Sequence, residues 1–381
     1  MRVLIVHNQL WAHYKSKLFS ELHRLSPQYD ARIHVAQIAL SERSRTNMGK
    51  AETTRYAYDY EVLFETSLDQ VALWPRTKSL LKKVRSFRPD VLNLTGYYDP
   101  AQWLLLFYAK LTGIKVVISN ESNVRDHVRG GLKERFKRFL LGMADGFFCF
   151  GTSSAQYLAQ LGVKPSQIFS KKAAIVDNDV LLQHYQKAAV QRDTLKQQKG
   201  WAKYNFIFVG RLIPPKNLHL LLESFANVHT DAPDWGLVLL GEGEQKSELQ
   251  QKVLALGLSN VKFEAGVPWY EVAEYLALAD VLILPSVSEP WGLVVNEAML
   301  CGLSVLVSDV CGCVDDLVRT GQNGFTFRAT DGVELASKLR YFVENAAQLP
   351  RMGEASRQIV AAFEPAQVAH EMLHGFKTLT K

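Results

Sequence analysis

Two glutamates eight residues apart, Glu289 and Glu297, flank a Pro-Trp-Gly break in the stretch SVSEPWGLVVNEAML (residues 286–300). An ionised carboxylate only accepts hydrogen bonds, so each suits a neighbouring pair of hydroxyls, such as those of a sugar or a ribose. The segment DVLILPS reads as a buried strand, and GLVVNEAMLCG as a helix closed by Gly302. Glu289 then lies in a loop. Gly292 and Leu293 offer backbone N–H groups at a helix start, which favours anions, and Glu297 follows about one turn later. Taken singly, the same residues also read as a helix cap (Glu289) and an exposed helix position (Glu297).

Cations stand in the same half of the chain. In FIFVGRLIPPKNLHLLLESFANV a buried strand ends at Gly210, and a helix follows with Leu218, Leu221, Leu222, Phe225 and Val228 at helical spacing. Between them, Arg211 offers a planar fork and Lys216 a point charge, a pair that suits a diphosphate. Two solvated loop cations is the equal alternative. The segment VLLGEGEQKSEL repeats strand, loop and helix, with Gly241, Glu242 and Gly243 in the loop. Glycine there lets a ligand approach the backbone, or simply makes a turn. The dinucleotide fingerprint G-x-G-x-x-G would need glycine where Lys246 stands, so hydride transfer loses its best motif.

The elements that must position these residues alternate along the chain. RVLIV, DVLNL, KVVIS and GFFCF in the first half, and NFIFVG, GLVLLG, NVKFEA, DVLILP and LSVLVS in the second, are short apolar runs separated by helical patterns. That alternation predicts parallel sheets covered on both faces, here two doubly wound α/β domains. The first is expected over residues 1–180 and the second over 200–364. The polar stretch 181–205 should join them, and a helix over 365–381 should pack back on the first. Ligands bind at the carboxyl ends of such strands, so a cleft between two facing domains is the expected site.

Composition narrows the function classes. A length of 381 residues fits two domains, and no apolar run reaches the length of a membrane span. MRVLIVHNQLW makes a poor signal peptide and a good first strand, so cytoplasmic residence is expected, with the inner face of the membrane as a secondary location. The net charge of +6 favours anionic ligands or surfaces, while the absence of a dense basic stripe argues against nucleic acid. Cys311 and Cys313 read as buried thiols at a glycine turn, without zinc spacing around them. Asp177 and Asp179 form a D-x-D read as a turn, and no metal is predicted. VRDHVRGGLKERFKRFLLG reads as a basic amphipathic helix with Leu132, Phe136, Phe139 and Leu140 turned into the core; docking on anionic lipid is the secondary reading.

The ordered set FVGRLIPPKN, LLGEGE, FEAGVP and PSVSEPWGLVVNEAMLCGLSVLVSD resembles the donor domain of family 4 retaining glycosyltransferases, over most of residues 204–330. The resemblance implies the GT-B architecture of two facing Rossmann-like domains and a nucleotide diphosphate sugar as co-substrate, with no cofactor. It implies that Arg211 and Lys216 bind the diphosphate. Glu289 and the amides after Trp291 would hold the sugar, Glu297 the ribose, and Gly266 with Val267 would border the base. Gly210, Gly241, Glu242, Gly243, Gly292 and Leu293 complete the implied donor site. On the acceptor side, many members carry a glycine-rich loop after the first strand, and VHNQLWAHYKSKLFSEL has no glycine. Where many members place a histidine, Glu121 stands; it would orient the acceptor hydroxyl, take its proton, touch the donor sugar or cap the next segment. Asn120, Asp126, His127 and Tyr14 are further acceptor-side candidates. The expected reaction is retaining transfer to a saccharide, lipid-linked sugar or small-molecule hydroxyl, in cell-surface polysaccharide or glycoconjugate synthesis. A sugar-nucleotide epimerase, a phosphorylase and a non-catalytic nucleotide-sugar-binding protein are the competing readings.

Overall fold

The computed structural model describes residues 1–10, 13–42, 56–123 and 132–380. The chain divides into two compact units, Met1–Asp177 with Phe363–Lys381, and Asn178–Ala362. In the first, parallel strands β1 (Arg2–Gln9), β2 (Arg32–Ser41), β3 (Tyr60–Ser67), β4 (Val91–Thr95), β5 (Lys115–Asn120), β6 (Gly146–Cys149) and β7 (Ile168–Ser170) lie in the order β3-β2-β1-β4-β5-β6-β7. Helices α1 (His13–Leu25), α2 (Leu73–Phe87), α3 (Pro100–Leu111), α4 (Leu132–Gly142) and α5 (Gly151–Gln160) connect them. One core cluster joins Leu4, Val6, Leu92 and Ile118 of the strands to Leu80 of α2, Leu105 of α3 and Leu140 of α4. Strands buried on both faces need continuous apolar runs, which is why RVLIV lacks polar alternation.

The second unit opens with α6 (Asn178–Ala189) and α7 (Arg192–Lys199). Its strands are β8 (Tyr204–Val209), β9 (Trp235–Leu240), β10 (Val261–Glu264), β11 (Val281–Leu284), β12 (Ser304–Ser308) and β13 (Gly324–Phe327), ordered β10-β9-β8-β11-β12-β13. Helices α8 (Leu218–His229), α9 (Lys246–Ala255), α10 (Val272–Leu276), α11 (Leu293–Leu300), α12 (Val314–Leu317), α13 (Gly332–Glu344) and α14 (Leu349–Val360) complete it. The chain then returns to the first unit as α15 (Pro365–Thr378), which packs on α1. Both sheets reverse direction of growth at one place, between β1 and β4 and between β8 and β11, and ligands favour the carboxyl ends of strands at such switch points.

Three expectations about the connecting segments are corrected. Residues 181–205, read as a joining stretch, form most of α6 and all of α7. Polar anchors rather than an apolar stripe hold α7. Arg192 donates to Ala277 O and Asp280, and the buried Lys196 ammonium donates to Lys203 O at 2.7 Å. Asp177–Asp179, read as a turn, opens α6 with Asp179 in its first turn, where an acidic side chain complements the helix dipole. In α4, Leu140 and Leu141 reach the core while Phe136 and Phe139 stay outside, because α3 already fills the space beneath them. Among the described residues no helix is long and apolar enough to cross a membrane.

Candidate functional site

At the carboxyl end of β8 the chain turns through Gly210 (φ +152°) into Arg211 and the Pro214–Lys216 turn. Gly241, after β9, lies so close that a Cβ there would stand 1.9 Å from Gly210 O, and one on Gly243 would stand 2.2 Å from Leu212 O. Leu212 N–H donates to Glu242 O at 2.8 Å, and Gln245 N–H to Leu212 O at 3.0 Å. The glycines of GEGE therefore let two loops run against each other; what approaches their backbone is the chain itself. Glu242 is exposed, accepts from Lys246 at 2.8 Å, and lies beside Gly266. The Lys246 hydrogen bond holds its carboxyl below the ordinary value. Val267 follows in the same loop, half-buried.

Lys216 and Glu289, read separately as diphosphate and sugar ligands, form an ion pair, each with most of its side chain covered. The turn that presents Lys216 is fixed by two prolines and by Asn217, which takes a left-handed conformation (φ 56°) and donates from Nδ2 to Ala329 O at 2.8 Å. Val287 N–H donates to Pro215 O at 2.9 Å, tying the loop after β11 to the loop after β8. Arg211 is exposed and makes no ion pair among the described residues.

Gly292 adopts φ +95° to start α11, and a Cβ on it would meet Leu284 Cδ2 at 2.7 Å. Trp291 is buried and its indole N–H donates to Asn296 Oδ1 at 2.8 Å, which leaves only its backbone for a ligand. No side chain caps α11; Val295 N–H donates to Gly292 O at 2.9 Å, while the N–H groups of Leu293 and Val294 precede the helix's own ladder. Leu293 and Glu297 are half-buried on this helix. Burial alone pushes the Glu297 carboxyl up to about 7, so at neutral pH it is partly a neutral donor rather than the ionised acceptor its type implied. Ser286 Oγ, at the end of β11, is buried without a hydrogen-bond partner. Sequence reasoning passed it over, although a serine closing an apolar strand was the available signal.

In the first unit, Glu121 follows β5 and its carboxylate lies 3.0 Å from Lys15 Nζ. Lys15, on α1, is only 4% exposed, and its ammonium sits 4.4 Å from the Phe150 ring centroid and 5.4 Å from that of Tyr14. Tyr14 and Phe150 meet edge to face at 6.5 Å. Lys15 was not singled out from sequence; its place three and four residues before Leu18 and Phe19 put a cation on the apolar stripe of α1. Nearby, His7 Nδ1 donates to Gln37 Oε1 at 2.9 Å, and burial, then the Lys15 charge, pushes the imidazole down to about 4. Buried charge and polar pairs thus lie on β1 and α1, the two elements between which the sequence has no glycine-rich loop. Asn120 donates from Nδ2 to Ser154 Oγ at 2.8 Å and Ser122 O at 2.9 Å, while its Oδ1 is buried without a donor. Asp126 and His127 lie outside the described residues. The structure therefore brings Arg211, Lys216, Glu289 and the start of α11 together around one switch point. It gathers Tyr14, Asn120 and Glu121 at the carboxyl edge of the other sheet.

Residues 191–359 match the family model of glycosyl transferases group 1. D-inositol 3-phosphate glycosyltransferase of Streptomyces coelicolor is 33% identical over 167 residues, which are 41% of this chain and 36% of the relative. The chain spans less than half the length of the curated relatives it matches. Solved structures align over nearly the whole chain. HepE of Anabaena in complex with UDP has a TM-score of 0.71 at 20% identity, covering 98% of this chain and 99% of its own. A glycosyltransferase of Rickettsia africae has a TM-score of 0.76 at 13% identity, covering 100% and 98%. At such identities they establish the fold, the GT-B class built from two Rossmann-like units. Residues 191–359, the part of the chain that matches the group 1 glycosyl transferase model, hold the switch point with Arg211, Lys216, Glu289 and Glu297.

Proposed function

We propose that this chain is an enzyme moving a sugar from a nucleotide diphosphate sugar to a hydroxyl acceptor, with retention at the anomeric carbon. The observation that carries this reading is the Lys216–Glu289 pair beside the exposed Arg211 and the uncapped start of α11. Arg211, Lys216 and the first N–H groups of α11 meet the diphosphate, whose negative charge grows as its bond to the anomeric carbon breaks. Contacts that strengthen with that charge lower the barrier more than they tighten ground-state binding. Lys216 exchanges partners in this scheme: its ammonium turns to the diphosphate, and Glu289 is left to accept from hydroxyls of the transferred sugar. Glu297 faces the ribose, and Glu242 with Val267 borders the base. The acceptor oxygen bonds to the face the diphosphate leaves, and its proton passes to the departing phosphate oxygen, so no protein nucleophile is required. Glu121, held by Lys15, with Asn120 and Tyr14, takes the acceptor side.

A uridine diphosphate sugar is the first donor to test, since HepE of Anabaena was solved with UDP and with UDP-glucose. Saccharides of cell-surface polysaccharides and glycoconjugates are the first acceptors. Melting temperature with UDP, GDP, ADP and their sugars tests the donor site. A nucleotide at 100 times its Kd should add about 2.7 kcal/mol, and Arg211→Ala should abolish the shift. Glu289→Ala should keep the shift and lower turnover by about 10²–10³. Absence of a shift with every nucleotide would overturn the reading.

A further inference from the structure

The outer side of the layer formed by α2, α3 and α4 combines two features that a water-facing surface rarely joins. These helices carry ten lysines and arginines against one acidic residue, Glu134. That excess is larger than the +6 of the whole chain. The exposed aromatic side chains among the described residues also gather there or at its rim: Trp74 of α2, Tyr98 just before α3, and Phe136 and Phe139 of α4. Leu104 and Leu111 of α3 are exposed beside them.

Phe136 and Phe139 are three residues apart and so share one face of α4. They are fixed from behind, Phe136 by Trp103 at 5.0 Å and Phe139 by Phe107 at 6.3 Å between ring centroids. Part of the charge is neutralised internally, Arg76 by Asp99, Lys83 by Glu61 and Lys110 by Asp145. Lys78, Lys82, Arg85, Arg135 and Arg138 remain exposed with no ion pair among the described residues. Rigid aromatic rings set among unpaired cations match the headgroup layer of an anionic bilayer, where rings enter the interface and lysine or arginine meets lipid phosphate. A neutral or cationic partner would leave the charge unanswered.

We propose that the α2–α3–α4 face docks this protein on an anionic lipid surface, with Phe136, Phe139 and Trp74 entering the headgroup layer. The inference stands apart from the donor chemistry of the second unit, and its test needs no transfer activity. The full chain is sedimented with vesicles of phosphatidylcholine and phosphatidylglycerol in a two-to-one ratio, and with vesicles of phosphatidylcholine alone. Binding to the anionic vesicles should exceed binding to the neutral ones by at least about tenfold and weaken as salt is added. Phe136→Ser with Phe139→Ser should lower it about tenfold while the melting temperature stays near that of the parent. Should that pair disturb folding, Trp74→Ser gives the same readout from a separate helix. Arg135→Gln with Arg138→Gln should also weaken binding and flatten its salt dependence. No sedimentation, equal sedimentation with both vesicle types, or unchanged binding in the phenylalanine variant would each overturn the proposal.

Discussion

At Glu297 the carboxyl is held up to about 7 by burial, against an ordinary value of 4.5, so the folded state keeps a proton that the unfolded chain releases. Below the ordinary value both states are protonated and the group contributes nothing to pH dependence. Between the two values the folded state binds more protons, so stability falls as pH rises, and above about 7 the whole penalty is present. One pKa unit corresponds to about 1.4 kcal/mol, so the span from 4.5 to about 7 puts the full penalty at roughly 3–4 kcal/mol. Glu297→Gln should therefore melt higher than the parent near pH 8 and show a flatter profile between about pH 5 and 8. Thermal denaturation across that range checks it, and identical profiles for the two proteins would remove burial as the cause. Residue types in the sequence pointed to Arg211, Lys216, Glu289 and Glu297, but not to the pairing of Lys216 with Glu289. Those two are 73 positions apart. They meet only because β11 lies beside β8 rather than beside β10, an order that alternation of strand and helix leaves undetermined.

Elements explain which glycines matter. Gly241 has φ +150° and faces Gly210 O at 1.9 Å from where a Cβ would stand, whereas Gly257 has φ +65° with nothing within 4 Å. Gly257→Ala should cost about 1 kcal/mol, the strain of a left-handed alanine. Gly241→Ala must in addition push apart the loops after β8 and β9, and a loss above about 3 kcal/mol is expected. Denaturant unfolding of the two variants separates backbone strain from close approach; equal losses would mean the loops can part freely. In the sequence GEGE was visible as a glycine loop after a strand, but a ligand and a neighbouring backbone demand the same residue. The strands were legible for a plainer reason: RVLIV or DVLILP has no polar face to expose. Helices α6 and α7 were hidden because their anchors are polar. Arg192 and Lys196 both reach Asp280, some eighty positions away, and no local periodicity records that.

At the scale of the whole molecule, the chain leaves the first unit after Asp177, builds the second without interruption, and returns at Phe363. The returning helix is part of the first unit's core. Phe376 is fully buried and meets Phe148 edge to face at 5.2 Å, with Val368, Ala369, Met372 and Leu373 buried along the same side. Glu371 accepts from Ser170 at 2.7 Å and pairs with Lys172 at 3.1 Å. Burying a large aliphatic or aromatic side chain contributes about 1.5–3 kcal/mol, so losing Val368, Met372, Leu373 and Phe376 together removes roughly 6–12 kcal/mol. A domain of this size has only about 5–15 kcal/mol in total. A chain ending at Ala362 should thus lose the first unit and keep the second, whose strands, helices and Lys216–Glu289 pair all lie within residues 178–362. Limited proteolysis gives the readout: rapid cleavage within residues 1–177, with a resistant fragment close to 178–362. Resistance throughout would show that the first unit holds without α15, and loss of both fragments would show that the second depends on the first for its own stability.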